Sequence, residues 1–225
     1  MLNSIKKYLI RKKNPVIISD IERLEPLNRS FGFERGTPVD RYYIEKFLEQ
    51  KKEFITGNVL EISENTYTKK FGSNVWTSSI LTFDKNAVFP AVYGDLTDRT
   101  TLPQQKFDCF IATQTLNFIK EVETAIDNAC YLLAPGAVFL GTVACLSQIS
   151  QFDYERWGDY WRFTDMGLKT LLEKHFSKVN VYPMGNFAAV RCLLDGVAIE
   201  DLKNLDILDI TDINYSIIIA FEAYK

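Results

Sequence analysis

The sequence is poor in the residues that several chemistries require. It has a single histidine, which excludes a histidine-rich metal site. Its four cysteines, Cys109, Cys130, Cys145 and Cys192, lie far apart in apolar stretches and form no CxxC pair. That pattern speaks against a zinc site or a disulfide framework and predicts reduced thiols in a cytoplasmic protein. No apolar run reaches the roughly 20 residues that span a bilayer. Positive charge is not in excess: 26 Lys and Arg stand against 29 Asp and Glu, a net charge of -3. The basic footprint of a nucleic-acid binder is therefore missing.

What is present suits one globular domain. A chain of 225 residues with 47% hydrophobic and 24% charged residues is not generally disordered. A domain of this size buries roughly 70% of its unfolded surface and needs no staple. The first thirteen residues carry Lys6, Lys7, Arg11, Lys12 and Lys13, with Leu2, Ile5 and Leu9 near helical spacing. The apolar part is too short and broken for a signal peptide. Residues 1–30 read as a basic helix or tail, suited at most to weak contact with an anionic membrane surface or an acidic partner. Residues 31–225 read as the domain.

From about residue 40, helical and strand patterns alternate. Asp40 is expected to cap a helix through Glu53. Strands are expected at Asn58–Ser63, Ser79–Phe83, Pro90–Tyr93, Phe107–Thr113, Ala137–Val143, Lys178–Tyr182 and Tyr215–Phe221. A helix from Glu121 to Leu133 should stop at Pro135-Gly136, and Thr164 should cap another that runs to about His175. Residues 186–212 form a helix-like insertion. Continuous apolar strands between helices predict a mostly parallel sheet covered on both faces. Ligands bind such sheets at the carboxyl ends of the strands.

The residues at those ends are acidic. Glu61 lies in the first strand, Asp84 follows the second, and Gly94, Asp95 and Leu96 follow the third. An acid after strand two can accept both ribose hydroxyls, and one after strand three an exocyclic amine. Either could instead be a helix N-cap. A dinucleotide site needs a glycine-rich loop after strand one, so that backbone approaches pyrophosphate. Here no glycine stands between Gly57 and Gly72, and Glu61 and Glu64 would repel phosphates. The residues favour the sulfonium cofactor S-adenosyl-L-methionine over a nicotinamide dinucleotide.

The order Val59-Leu-Glu-Ile-Ser63, Asp84, Gly94-Asp95-Leu96, Phe107-Asp108 and Leu133-Ala-Pro-Gly136 resembles class I S-adenosylmethionine-dependent methyltransferases, over roughly residues 30 to 225. Five stretches are similar to a bacterial subgroup linked with glycan biosynthesis. They are Glu34–Tyr43, Glu64–Thr68, Thr113–Leu116, Ser147–Ser150 and Trp157–Thr164. The resemblance implies an α/β, Rossmann-like, seven-stranded sheet with the last strand antiparallel. It implies that Glu61 lies near the amino-acid part of the cofactor, Asp84 at the ribose and Asp95 at the adenine, with Ser63, Tyr67, Gly94, Leu96, Thr113 and Gln114 as further cofactor contacts. Most members have glycines where this chain has Ser63-Glu-Asn-Thr-Tyr67, a departure the subgroup shares.

Methyl transfer asks the protein to hold a nucleophile about 3 Å from the methyl carbon and to exclude water. A hydroxyl nucleophile also needs a base or an orienting acceptor. His175 sits late in its helix, away from the strand ends, and reads as a helix C-terminal cation. Trp157-Gly-Asp-Tyr-Trp-Arg162 combines three aromatics, one acid and one base, a set suited to a sugar. Asp159 is the expected base, with Trp157, Tyr160 and Arg162 as substrate contacts. The other reading is an aromatic plug with Arg162 paired to Asp159. Arg35, Asp40, Arg41 and Tyr42 precede strand one and can face the substrate or form surface ion pairs, and Asn117 follows strand four. The expected activity is O-methylation of a sugar or glycan precursor, without a metal. A non-catalytic or partner-dependent adenosyl-binding protein is the alternative.

Overall fold

The computed structural model describes residues 22–87 and 90–225. The basic segment Met1 to Lys13 lies outside the described residues. Seven strands form one sheet: β1 (Gly57–Ile62), β2 (Val75–Thr82), β3 (Ala91–Tyr93), β4 (Phe107–Thr113), β5 (Leu133–Ala144), β6 (Lys178–Met184) and β7 (Ile218–Tyr224). Their order is β3-β2-β1-β4-β5-β7-β6. β7 runs antiparallel to both its neighbours, and every other pairing is parallel. The chain builds outward from β1 in one direction and from β4 in the other. The switch point therefore lies between the carboxyl ends of β1 and β4.

The central strands are apolar throughout because both their faces are covered. Leu60, Phe110 and Phe139 face one layer, with helices α3 (Val122–Leu132) and α5 (Asp165–Leu172). Val59, Ile111 and Leu140 face the other, with α1 (Val39–Gln50) and α6 (Phe187–Asp195). Phe139 stacks on Phe110 and meets Phe221 edge-on, both at 4.9 Å between centroids. Each such ring contributes about 2–3 kcal/mol by leaving water.

Several expected boundaries move, and β2 begins at Val75 rather than Ser79. α1 starts after Pro38, without a side-chain cap, and Asp40 sits in its first turn. Pro38, fixed in φ and bridged to Ala198, sets the start two residues earlier than Asp40 would. β5 begins at Leu133, already paired with Phe107, so Pro135-Gly136 falls inside the strand. β7 begins three residues later than expected, because Asp212 accepts from Asn214 N and caps a 3₁₀ turn over Ile213–Tyr215. A single turn, α4 (Gln151–Tyr154), precedes α5, and Thr164 does cap α5, accepting from Gly167 N. The cysteines are free, but only Cys109 is fully buried.

The insertion after β6 has a structural task. Gly196 ends α6 at φ 70°, and a Cβ there would stand 2.0 Å from the carbonyl oxygen of Asn28. The chain before α1 is thus pressed onto the insertion. Arg23 pairs with Asp195, Asn28 N donates to Asp195 O (3.2 Å), and Arg35 forms a two-pronged pair with Asp201 (both 2.8 Å). Residues 22–30, read as the end of a tail, lie against the domain in this way. No helix among the described residues is long and apolar enough to cross a membrane.

Candidate active site

The first loop is held by a side chain rather than by glycine. Glu61 is buried near the end of β1. Its carboxylate accepts from Tyr67 N (3.1 Å), Thr68 N (2.9 Å) and the Thr68 hydroxyl (2.8 Å). It closes the N-terminus of the short helix α2 (Thr66–Phe71). Burial raises its pKa, and these hydrogen bonds only partly offset that rise. Ser63 takes φ 61°, the left-handed region that glycine adopts without strain. Tyr67 accepts from Arg41 Nη1 (2.9 Å), which ties α1 to α2 beside the loop.

Beyond β2 and β3 the acids are shaped by their own turns. Asp84 accepts from Asn86 N (2.8 Å), and Asp95 from Thr97 N (2.7 Å) and the Thr97 hydroxyl (2.8 Å). Both carboxylates line the same cleft as Glu61, Ser63 and Tyr67. Gly94 is needed for close approach: a Cβ would lie 2.9 Å from Thr101 O.

Beyond β4 and β5 the wall is a self-bonded loop. The carbonyl oxygen of Asn117 accepts from Tyr160 N (2.9 Å) and Trp161 N (3.2 Å). Arg162 uses all five of its N–H groups: Nε on Ser147 O, Nη1 on Asp159 Oδ1 and Trp161 O, Nη2 on Gln148 O and Asp159 Oδ2. The Asp159 side chain has no exposed surface, and its Oδ2 also accepts from Ser150 N (3.0 Å). The expected base therefore has both oxygens engaged, and the expected substrate arginine has no donor left. This is the paired arrangement of the plug reading. Trp157, more than half exposed, stacks on Phe83 at 5.8 Å between centroids and joins this loop to the end of β2.

These walls enclose a cleft of about 1450 Å³. It takes in Thr113, Gln114, Leu96, Asp40, Arg41, Asn117 and Tyr160 with the residues above. It does not take in Arg35 or Tyr42. Arg35 is held by Asp201, and the Tyr42 hydroxyl donates to Asp209 (2.5 Å), so both face the insertion. His175 is likewise remote, 3.3 Å from Asp127. Sequence reasoning missed Phe83, although it adjoins Asp84, and Gln148, although it lies in a stretch that carried the resemblance. It also missed Arg29, Phe31 and Phe33, which line the cleft only because the insertion holds their segment there.

Three cleft-lining residues, Asp40, Asn117 and Gln148, each keep a buried oxygen (Oδ1, Oδ1 and Oε1) without a donor. Burial raises the Asp40 pKa, opposed in part by the neighbouring Arg41 charge. The cleft thus offers acceptors, and in its first loop Ser63 N, Glu64 N, Tyr67 N and Thr68 N are already bonded within the protein, on Leu81 O, Ile62 O and Glu61, rather than turned to a pyrophosphate. That donor set fits an adenosyl group with a positively charged tail. No group of three or more potential metal ligands is found among the described residues.

No family model matches the chain, and no curated protein matches it. Solved structures do. The N-methyltransferase NodS from Bradyrhizobium japonicum WM9, in complex with S-adenosyl-L-homocysteine, aligns over 88% of this chain and 93% of its own at 14% identity, with a TM-score of 0.54. An S-adenosylmethionine-dependent methyltransferase from Mesorhizobium loti aligns over 83% and 100% at 12% identity, with a TM-score of 0.57. The fold is that of the class I methyltransferases. The methyltransferase fold is also shared by the [4+2]-cyclase SpnF, over 80% of this chain and 81% of that one at 13% identity, with a TM-score of 0.52. Chemistry must therefore be argued from the cleft.

Proposed function

We propose that the protein is a cytosolic S-adenosylmethionine-dependent methyltransferase that O-methylates a sugar or glycan precursor. The observation that carries this reading is the acceptor-lined cleft at the switch point, with Asp84 and Asp95 beyond neighbouring strands and no phosphate cradle after β1. In this reading Asp84 accepts from the ribose hydroxyls, and Asp95 and Leu96 meet the adenine. Ser63 and Tyr67, on a loop that Glu61 holds in shape, flank the amino-acid end, with Thr113 and Gln114 at the end of β4 completing the pocket. When bound, S-adenosylmethionine supplies an activated methyl group.

The remaining roles fall to the chain's own residues. Asp40, not Asp159, is proposed to accept the proton from a hydroxyl, because it alone among these two keeps a buried oxygen without a donor. Its raised pKa makes it a better base than an exposed carboxylate once ionised. Arg162 and Asp159 position the loop. The Phe83–Trp157 stack and the segment carrying Phe31 and Phe33 exclude water from the cleft. Free thiols agree with a reducing compartment.

Calorimetric titration with S-adenosylhomocysteine tests the cofactor assignment. Binding by the native chain, weakened at least about tenfold in Asp84→Ala, is expected for loss of a charged acceptor. Absence of binding would sink the reading. A second reading, an adenosyl-binding protein without turnover, draws on Ser63 and Glu64 standing where a glycine-rich loop is usual. It predicts the same titration but no methyl transfer to any acceptor.

A further inference from the structure

We propose that Asn117 and Gln148 form the acceptor subsite and that it takes an uncharged, hydroxyl-bearing ring. This rests on the methyltransferase reading and narrows its substrate class. The two residues follow β4 and β5, on the wall away from Asp84 and Asp95. Asn117 is 2% exposed, and both side-chain oxygens are buried and lack a donor. An unmet buried acceptor costs about 1–3 kcal/mol, so a ligand that supplies the donor recovers that loss.

The backbone fixes both residues while leaving their side chains free. Asn117 O is held by Tyr160 N and Trp161 N, and Gln148 O by Arg162 Nη2 at 2.6 Å. The charged pair bonded to this loop's backbone is already spent on itself. An anionic group finds no partner in Arg162, whose five N–H groups are spent. A cationic group finds none in Asp159, bonded to Arg162 and Ser150 N. The carboxamide oxygens of Asn117 and Gln148 are neutral and match O–H donors. Tyr160 and Trp157, each about half exposed, provide flat apolar faces beside them.

Saturation-transfer NMR on the full chain tests the proposal, with methyl α-glucoside, α-galactoside and α-mannoside as neutral probes and glucosamine and glucuronate as charged ones. It is run with and without S-adenosylhomocysteine. At least one neutral glycoside should bind more tightly than either charged sugar. Asn117→Ala and Gln148→Met should each weaken it about fivefold. Their affinity for S-adenosylhomocysteine should stay at the native value, which also reports that the variants are folded; Gln148→Met, close to isosteric, decides if Asn117→Ala does not fold. The proposal is overturned if no neutral glycoside binds, if a charged sugar binds as well, or if neither substitution matters. Failure of the methyltransferase reading shows separately, as absence of S-adenosylhomocysteine binding by the native chain.

Discussion

The two walls of the cleft are built on different principles. Beyond β1, β2 and β3, single acids stand at strand ends and are shaped by bonds within a few residues: Asp84 with Asn86, Asp95 with Thr97, Glu61 with Tyr67 and Thr68. Beyond β4 and β5, the wall is one closed network in which Arg162 spends every donor on Asp159 and three carbonyls. On the first wall a residue's place along the chain sets its position at the cleft. On the second, the charged residues are tied up by each other, and the neutral carboxamide oxygens of Asn117 and Gln148 keep no donor.

The sharpest way to break this contrast is Arg162→Met. It leaves Asp159, with no exposed side-chain surface, as a buried charge without its partner. A loss of about 3–5 kcal/mol in denaturant unfolding is expected. A loss under about 1 kcal/mol would show that the second wall does not depend on the pair. Asp84→Ala should act oppositely. Binding of S-adenosylhomocysteine should drop by about 2 kcal/mol, while the melting temperature changes little, since Asp84 is exposed and bonds only within its turn.

A control lies on neither wall. Glu222 of β7 is buried and accepts from Asn180 and Tyr182 (both 2.7 Å), with Lys51 Nζ 2.7 Å from its other oxygen. Burial alone would raise its pKa, but these bonds outweigh it and hold the carboxyl below its ordinary value. Its stabilisation is therefore complete above the ordinary carboxylate range and is lost as pH falls through the folded value. Glu222→Gln should lower stability at neutral pH by about 1–2 kcal/mol, flatten the acid limb of the unfolding curve, and leave ligand affinity unchanged. A change in affinity would mean that this network is coupled to the cleft. The smallest effect is expected from Ser63→Gly. Relief of the left-handed conformation should raise stability by about 0.5 kcal/mol, less than the strain itself because glycine is freer when unfolded. A destabilised variant would show that the Ser63 side chain supports the first loop.

Most of the sheet was legible. Apolar runs such as Phe107–Thr113 can only be strands covered on both faces, and the strand matches the expected span residue for residue. The errors sit where distant contacts decide. Asp40 fails as a cap because Pro38 is bridged to Ala198. Arg35 and Tyr42 leave the cleft because Asp201 and Asp209 of the insertion capture them. Phe31 and Phe33 join it because Gly196 lets their segment approach. None of these partners is near in sequence, so no local pattern announces them.

By itself, the sequence determined the alternation of strands and helices, and with it the positions of Glu61, Asp84, Asp95 and Asn117 near strand ends. Those follow from periodicity and from bonds spanning a few residues. Only the tertiary structure decided which polar groups remain available. Asp159 and Arg162 cancel one another, while Asp40, Asn117 and Gln148 keep an unmet oxygen. The physical reason is that availability belongs to no residue alone: it is what is left after every buried donor and acceptor has found its partner.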